Sequence, residues 1–93
     1  MAFVGELCNL IVLENQKGLH ARAAAKFVRV LESYQVEVTV TKDDVTVSGH
    51  SIMGLMMLAA PCGTQLKVCV SGEDALKAMD ALIDLVKRKF DED

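Results

Sequence analysis

The sequence has no tryptophan and is poor in other aromatics, in proline and in basic charge. Its 93 residues include one Tyr, three Phe and one Pro, and 10 Lys and Arg stand against 13 Asp and Glu, a net charge of −3. Nucleic-acid binders normally combine stacking aromatics with a basic surface, so we expect no nucleic-acid partner. No apolar run approaches the roughly 18 residues of a membrane span. We therefore expect no membrane insertion. No basic segment precedes an apolar one near the start, so we also expect no signal peptide.

The composition favours one folded domain without a metal. The chain is 52% hydrophobic and 25% charged, which excludes disorder, and its length suits a single domain over residues 1–93. Three cysteines are present: Cys8, Cys62 and Cys69. Their number is odd and they form no CxxC pair, so we expect free buried thiols in a reducing cytosol. With only two histidines beside them, we expect no metal site.

Hydrophobic periodicity predicts the element order β-α-β-β-α-β-α. Strands are predicted by an apolar run or by alternation in residues 5–14, 36–41, 45–48 and 66–71. Helices are predicted by the helical period in residues 21–33, 52–58 and 75–90. Ser71-Gly72-Glu73-Asp74 resembles a capping box for the last helix. Strands with one polar face need cover on the other, which favours a two-layer α/β sandwich with one open sheet face.

One segment combines a glycine turn, a histidine and a helix start. Residues 17–25 read KGLHARAAA, with no acidic residue in the first helical turn. Free N–H groups at a helix start attract anions, and Arg22 offers a planar fork suited to phosphate. His20 supplies a neutral imidazole, which is a nucleophile. These residues predict a nucleophile beside an anion site, whereas the alternative is that His20 is only an exposed helix cap.

A second segment, residues 49–58, predicts a short helix with an accessible surface. Ser51 suits the N-cap, a position where a phosphate would also meet helix N–H groups. Ile52, Met53 and Met56 form a set on this helix, and we expect part of it to reach solvent. Exposed methionine-rich surface favours adaptable partner binding. The alternative is a helix that its neighbours cover completely.

Together the two segments resemble the HPr family, the histidine-containing phosphocarriers of the bacterial phosphoenolpyruvate-dependent sugar phosphotransferase system. The matching motifs are Gly18-Leu19-His20-Ala21-Arg22, Ser51-Ile52-Met53-Gly54-Leu55-Met56, Gly63-Thr64 and Ser71-Gly72-Glu73-Asp74-Ala75. They span essentially the whole chain. The resemblance implies an open-faced α/β two-layer sandwich, in which a four-stranded antiparallel sheet of order 1-4-2-3 is covered on one face by three helices.

The resemblance also implies roles for individual residues. His20 matches the histidine that enzyme I phosphorylates on Nδ1, and Arg22 matches the active-site arginine. Ser51 matches the serine that HPr kinase/phosphorylase modifies where that enzyme exists. The surface that docks enzyme I and the EIIA proteins is matched by Arg29, Ile52, Met53 and Met56. A protein of this kind is a cytoplasmic monomer that carries phosphate without a cofactor, and it is not a stand-alone enzyme.

The sequence departs from the family pattern at three places. Ala23 replaces the proline that usually follows the arginine, which restores an N–H group and makes the helix entry less rigid. His50 stands where the family often has lysine, which weakens the expectation of a Ser51 kinase. The ending Phe90-Asp91-Glu92-Asp93 is similar to NPr, the paralogue in the nitrogen-related branch.

Three alternatives therefore remain beside the sugar-branch carrier. One is an NPr-type carrier. Another is a regulatory binding module switched at Ser51, which the presence of His20 and Arg22 argues against as the sole role. The third is an RNA-binding domain that uses the basic face of Arg22, Lys26 and Arg29, and net acidity disfavours it.

Overall fold

The computed structural model describes residues 5–92. Its elements follow the chain as β1 (Glu6–Val12), α1 (Ala21–Leu31), β2 (Glu37–Lys42), β3 (Val45–Ser48), α2 (Ile52–Met57), β4 (Gln65–Ser71), α3 (Ala75–Lys87) and a 3₁₀ turn (Lys89–Asp91). The strands form one antiparallel sheet of order β1-β4-β2-β3, which confirms the expected fold. Residues 1–4, the start of the segment on which the signal-peptide expectation depends, lie outside the described residues.

The core lies between the sheet and the three helices. Alternation along β2 and β4 buries one side of each strand, so that Val40 and Val70 have almost no exposed surface while Thr39 and Lys67 are exposed. Each helix adds an apolar stripe, and Phe27 of α1 is among the largest buried side chains. No helix within residues 5–92 is long and apolar enough to cross a membrane.

The last helix begins at Ala75 as predicted, but its end and its cap differ from the prediction. It ends at Lys87, and the chain then turns through residues 89–91 with backbone φ between 55° and 60°. Phe90 is still completely buried, because this turn directs the chain back to the core. The predicted capping box is wrong, since the Asp74 carboxylate accepts a hydrogen bond from the Gln35 N–H at 2.8 Å instead of capping α3.

The prediction of free buried thiols is wrong. Cys8 of β1 lies directly opposite Cys69 of β4, and the two form a disulfide. Cys62 is free but exposed. The disulfide forms because the register of the sheet places Cys8 opposite Cys69, 61 positions later in the chain. That register cannot be predicted from the number or spacing of the cysteines.

Candidate functional site

Gly18 sets the position of the chain just before His20. Its φ is +64°, and a Cβ there would lie 2.2 Å from the carbonyl oxygen of Ala60. The same oxygen accepts a hydrogen bond from the Leu19 N–H at 2.9 Å. Only glycine fits this left-handed backbone and close approach. The turn therefore fastens the start of α1 to the segment that follows α2.

Helix α1 begins immediately after His20, as predicted. His20 is the N-cap residue with extended backbone, and its carbonyl accepts the first helical hydrogen bond from the Ala24 N–H at 2.8 Å. Among residues 5–92, no backbone carbonyl accepts a hydrogen bond from the N–H groups of Ala21, Arg22 and Ala23. The first turn holds no acidic residue. This helix end thus keeps three donors and the positive end of its dipole for an anion.

An acidic residue that the sequence analysis did not identify contacts His20. The carboxylate of Glu92 meets Nε2 of His20 through Oε2, and its Oε1 accepts a hydrogen bond from Asn15 Nδ2 at 3.1 Å. The Glu92 side chain is 14% exposed and that of His20 is 26% exposed. Burial alone would raise the pKa of Glu92, but hydrogen bonds from His20 and Asn15 and the charges of His20 and Lys26 together lower it. Glu92 is therefore ionised at neutral pH.

Two contacts hold the C-terminal turn against α1. The buried Phe90 ring anchors it in the core, and Lys26 Nζ donates a hydrogen bond to the Phe90 carbonyl at 2.6 Å. Arg88 Nε also donates to Asp91 Oδ1 at 3.0 Å within the turn. The turn thereby brings Glu92 to a histidine 72 residues earlier in the chain. The only sequence signal was the run of polar residues after Phe90.

A polar cleft opens beside this contact. It has a volume of about 340 Å³ and is lined by Gln16, Lys17, Arg22, Lys26, Asp91 and Glu92. Three of these residues are basic and two are acidic. Arg22 is exposed, and within residues 5–92 its guanidinium forms no ion pair. It is thus free to pair with an incoming phosphate.

The second predicted segment forms the expected capped helix. Ser51 is the N-cap of α2, and its Oγ accepts a hydrogen bond from the Gly54 N–H at 2.9 Å. Leu55 and Leu58 enter the core. The remaining large side chains of the helix are exposed: Ile52, Met53, Met56 and Met57. Met57, which is 77% exposed, was not predicted as part of this surface.

The helix surface adjoins His20. His20 and Met56 line one shallow depression, together with Ala21 and Pro61. Arg29 is exposed nearer the end of α1. The structure thus brings His20, the cleft of Arg22 and part of the α2 surface into one region, although these residues lie in two segments of the chain.

Comparison with known proteins gives consistent matches. The family profile described as "PTS HPr component phosphorylation site" matches residues 9–88. Phosphocarrier protein HPr of Neisseria meningitidis serogroup A is 49% identical over 82 residues, covering 88% of this chain and 92% of that protein. Phosphocarrier protein NPr of Shewanella violacea is 37% identical over 82 residues, covering 88% and 90%. The crystal structure of HPr-C-His from Thermoanaerobacter tengcongensis matches with a TM-score of 0.89 and 38% identity, covering 94% of this chain and 98% of that one.

Proposed function

This chain belongs to the HPr family, the phosphocarrier proteins of the phosphotransferase system, and from this premise we propose that His20 carries the phosphoryl group. One observation supports the assignment above others. His20 caps a helix whose first three N–H groups have no backbone partner within residues 5–92, beside a cleft that Arg22 lines. A nucleophile and the donors for its anionic product therefore lie together.

The experiment uses purified enzyme I and labelled phosphoenolpyruvate. We expect wild-type protein to take up label that acid treatment removes, since phosphohistidine is acid-labile. His20→Ala abolishes labelling and leaves the fold intact, because a partly exposed side chain without structural hydrogen bonds beyond Glu92 contributes little to stability. His50→Ala is the matched control, since it removes the other histidine of the chain. Labelling of His20→Ala at the wild-type rate contradicts the assignment.

We propose that Arg29, Ile52, Met53 and Met56 dock enzyme I and the EIIA proteins. The exposed apolar side chains of α2 support this, because an apolar patch beside a reactive residue favours transient docking of a partner that must reach it. Met56 lines a depression with His20, so that a partner on α2 would meet the phosphoryl group directly. Met57 extends the proposed surface. The recipient of the phosphoryl group is an EIIA-type protein of the system.

We propose Ser51 as a regulatory phosphorylation site where a kinase of the HPr kinase/phosphorylase type is present. Its hydroxyl caps α2, and a phosphate there would sit beside the first helical N–H groups and next to Ile52 and Met53. The sugar-branch reading is preferred to the nitrogen-related branch, since the HPr relative is 49% identical and the NPr relative 37% identical over similar lengths. A module switched at Ser51 alone would leave the arrangement at His20 without a role.

The remaining assignments follow from the same proposal. The protein acts as a cytoplasmic monomer and consists of one domain over residues 1–93. It gains and loses the phosphoryl group only in reactions with partner proteins and is not a stand-alone enzyme. Sedimentation of the purified protein tests the monomer, and a stable dimer at micromolar concentration contradicts it. A cytoplasmic location also makes the Cys8–Cys69 bond sensitive to the cellular redox state.

A further inference from the structure

We propose that Glu92 is a positioning residue for phosphoryl transfer, which holds the His20 ring with its proton on Nε2 and thereby presents Nδ1 as the nucleophile. The inference deepens the proposed function and rests on it. The carboxylate–imidazole contact between these residues is its main observation. Glu92 lies outside both motifs that predicted the site.

The direction of the hydrogen bond follows from the state of the carboxylate. An ionised carboxylate has no proton to donate, so the ring must donate through Nε2–H. In the neutral imidazole the second nitrogen then carries a lone pair instead of a proton. Nδ1 forms no hydrogen bond with any group within residues 5–92, and the side chain makes no helix-capping bond. The contact thus leaves Nδ1 unprotonated and unoccupied.

The same contact fits the charge change of the reaction. The Nδ1 lone pair attacks the phosphorus of phosphorylated enzyme I, the bond between that phosphorus and enzyme I breaks, and its electron pair stays with enzyme I. The ring of His20 gains a positive charge because Nε2 keeps its proton. Glu92 lies against that proton, so its negative charge stabilises the ring in the transition state and in the product. No proton has to leave the site during the step.

Neighbouring residues hold Glu92 in this position. Asn15 is almost completely buried, and its Nδ2 donates both to Glu92 Oε1 at 3.1 Å and to the Gly18 carbonyl at 2.7 Å. Asn15 therefore joins the carboxylate to the turn that precedes His20. On the other side, Lys26 fixes the backbone at Phe90. These contacts restrict the Glu92 side chain to one position, which a residue that orients another side chain requires.

The test compares Glu92→Gln with Glu73→Gln, the same substitution at an acidic residue just before α3. Glu73 is exposed, does not line the cleft and forms no ion pair within residues 5–92, so it is the matched control. Single-turnover phosphorylation by enzyme I is measured over a range of enzyme I concentrations. Replacing an acid that orients a catalytic histidine can cost about 10⁴-fold in rate. His20 is partly exposed and keeps its helix donors, so we expect a loss of about tenfold for Glu92→Gln.

The loss should appear in the maximal transfer rate, with the half-saturating concentration of enzyme I unchanged. Glu92→Asp should restore part of the rate because it restores the charge. The ¹⁵N chemical shifts of the His20 ring provide a direct readout of the tautomer. We expect the Nε2–H form in wild type and in Glu73→Gln, and a mixture of both tautomers in Glu92→Gln.

Two results would overturn the inference while leaving the proposed function intact. One is a wild-type transfer rate and wild-type ring shifts in Glu92→Gln. The other is faster transfer in Glu92→Gln, which would mean that the carboxylate obstructs the site. Uptake of label by His20→Ala would instead overturn the proposed function itself. The three results are therefore distinguishable in one series of variants.

Discussion

At the scale of single residues, Arg22 is exposed and lines the cleft beside His20, the proposed acceptor, where a phosphoryl group would bring negative charge. Lys17 and Lys26 also line this cleft, and Lys26 already donates to the Phe90 carbonyl. Under the proposed function, the guanidinium of Arg22 can contact the phosphoryl group during its transfer to His20. Its planar fork can bind two phosphate oxygens at once, which a lysine cannot do.

We therefore expect Arg22→Lys to slow phosphoryl transfer from enzyme I more than it weakens docking. The charge remains, but the bidentate contact with the moving group is lost. A positioned arginine can contribute about 10³–10⁵-fold in phosphoryl transfer, and the neighbouring helix donors should reduce the loss here. Stopped-flow or quench-flow rates, measured beside calorimetric affinity for enzyme I, separate the two effects. Equal transfer rates for both proteins would show that the helix N–H groups suffice.

At the scale of elements, the Ser51 hydroxyl caps the start of α2, and the proposed docking role of this helix depends on the side chains that it leaves exposed. Aspartate is as good an N-cap as serine and adds favourable charge at the helix start. Ser51→Asp should therefore preserve α2 and change the free energy of unfolding by at most about 0.5 kcal/mol. The new charge would lie beside Ile52 and Met53, where a docking partner must remove its water.

Ser51→Asp should accordingly weaken binding to enzyme I by about 1–2 kcal/mol, on the scale of a buried unpaired polar group. Calorimetric titration measures the affinity, and thermal melts in parallel check the fold. Ser33→Asp, an exposed change just beyond the far end of α1, is the control for charge alone. Unchanged affinity with an intact fold would place Ser51 outside the docking surface.

The C-terminal turn should contribute to stability in a pH-dependent way. Glu92 has a folded-state pKa below its ordinary value of 4.5, so its contacts stabilise the fold above that value and are lost as the pH falls through the folded pKa. The ionisable groups near it are His20 and the cleft residues Lys17, Arg22, Lys26 and Asp91. Glu92→Gln should lower the free energy of unfolding by at most about 1 kcal/mol at neutral pH.

The difference between wild type and Glu92→Gln should shrink toward zero as the pH falls below 4.5. Urea unfolding at a series of pH values, with the matched variant Glu73→Gln, measures this difference. A constant difference from neutral to acidic pH would contradict an ionised role for Glu92 in the folded state.

At the scale of the whole molecule, the Cys8–Cys69 bond joins an edge strand to the centre of the sheet and closes a long loop of chain. A crosslink between residues 61 positions apart restricts the unfolded chain, and such bonds typically contribute about 2–4 kcal/mol. Reduction, or the double change Cys8→Ser and Cys69→Ser, should lower the free energy of unfolding by this amount. Cys62→Ser, at the free and exposed cysteine, should have no comparable effect.

Urea unfolding with and without reductant measures the loss, and mass spectrometry after alkylation counts free thiols. We expect one alkylated cysteine in the oxidised protein and three after reduction. Three labelled cysteines in the untreated folded protein would contradict the bond.

Local sequence pattern was enough to predict most of the helices and strands and two residues of the candidate site, His20 and Ser51. Alternation in β2 and the helical stripe of α1 each depend on residues within a few positions, so periodicity predicts them within about two residues. The N-cap positions of His20 and Ser51 were predicted for the same reason, since a helix cap depends on residues within one turn of it. The sheet order came from the family resemblance and was confirmed by the structure.

The sequence by itself therefore determined the elements, the position of His20 at the start of α1 and the exposed apolar side chains of α2, because short-range backbone and side-chain preferences carry that information. Only the tertiary structure decided the disulfide and the contact of Glu92 with His20. The first depends on strand register between β1 and β4, and the second on a left-handed turn at Lys89–Asp91 that the buried Phe90 holds in place. Both join residues more than 60 positions apart, where no local pattern records which groups will meet.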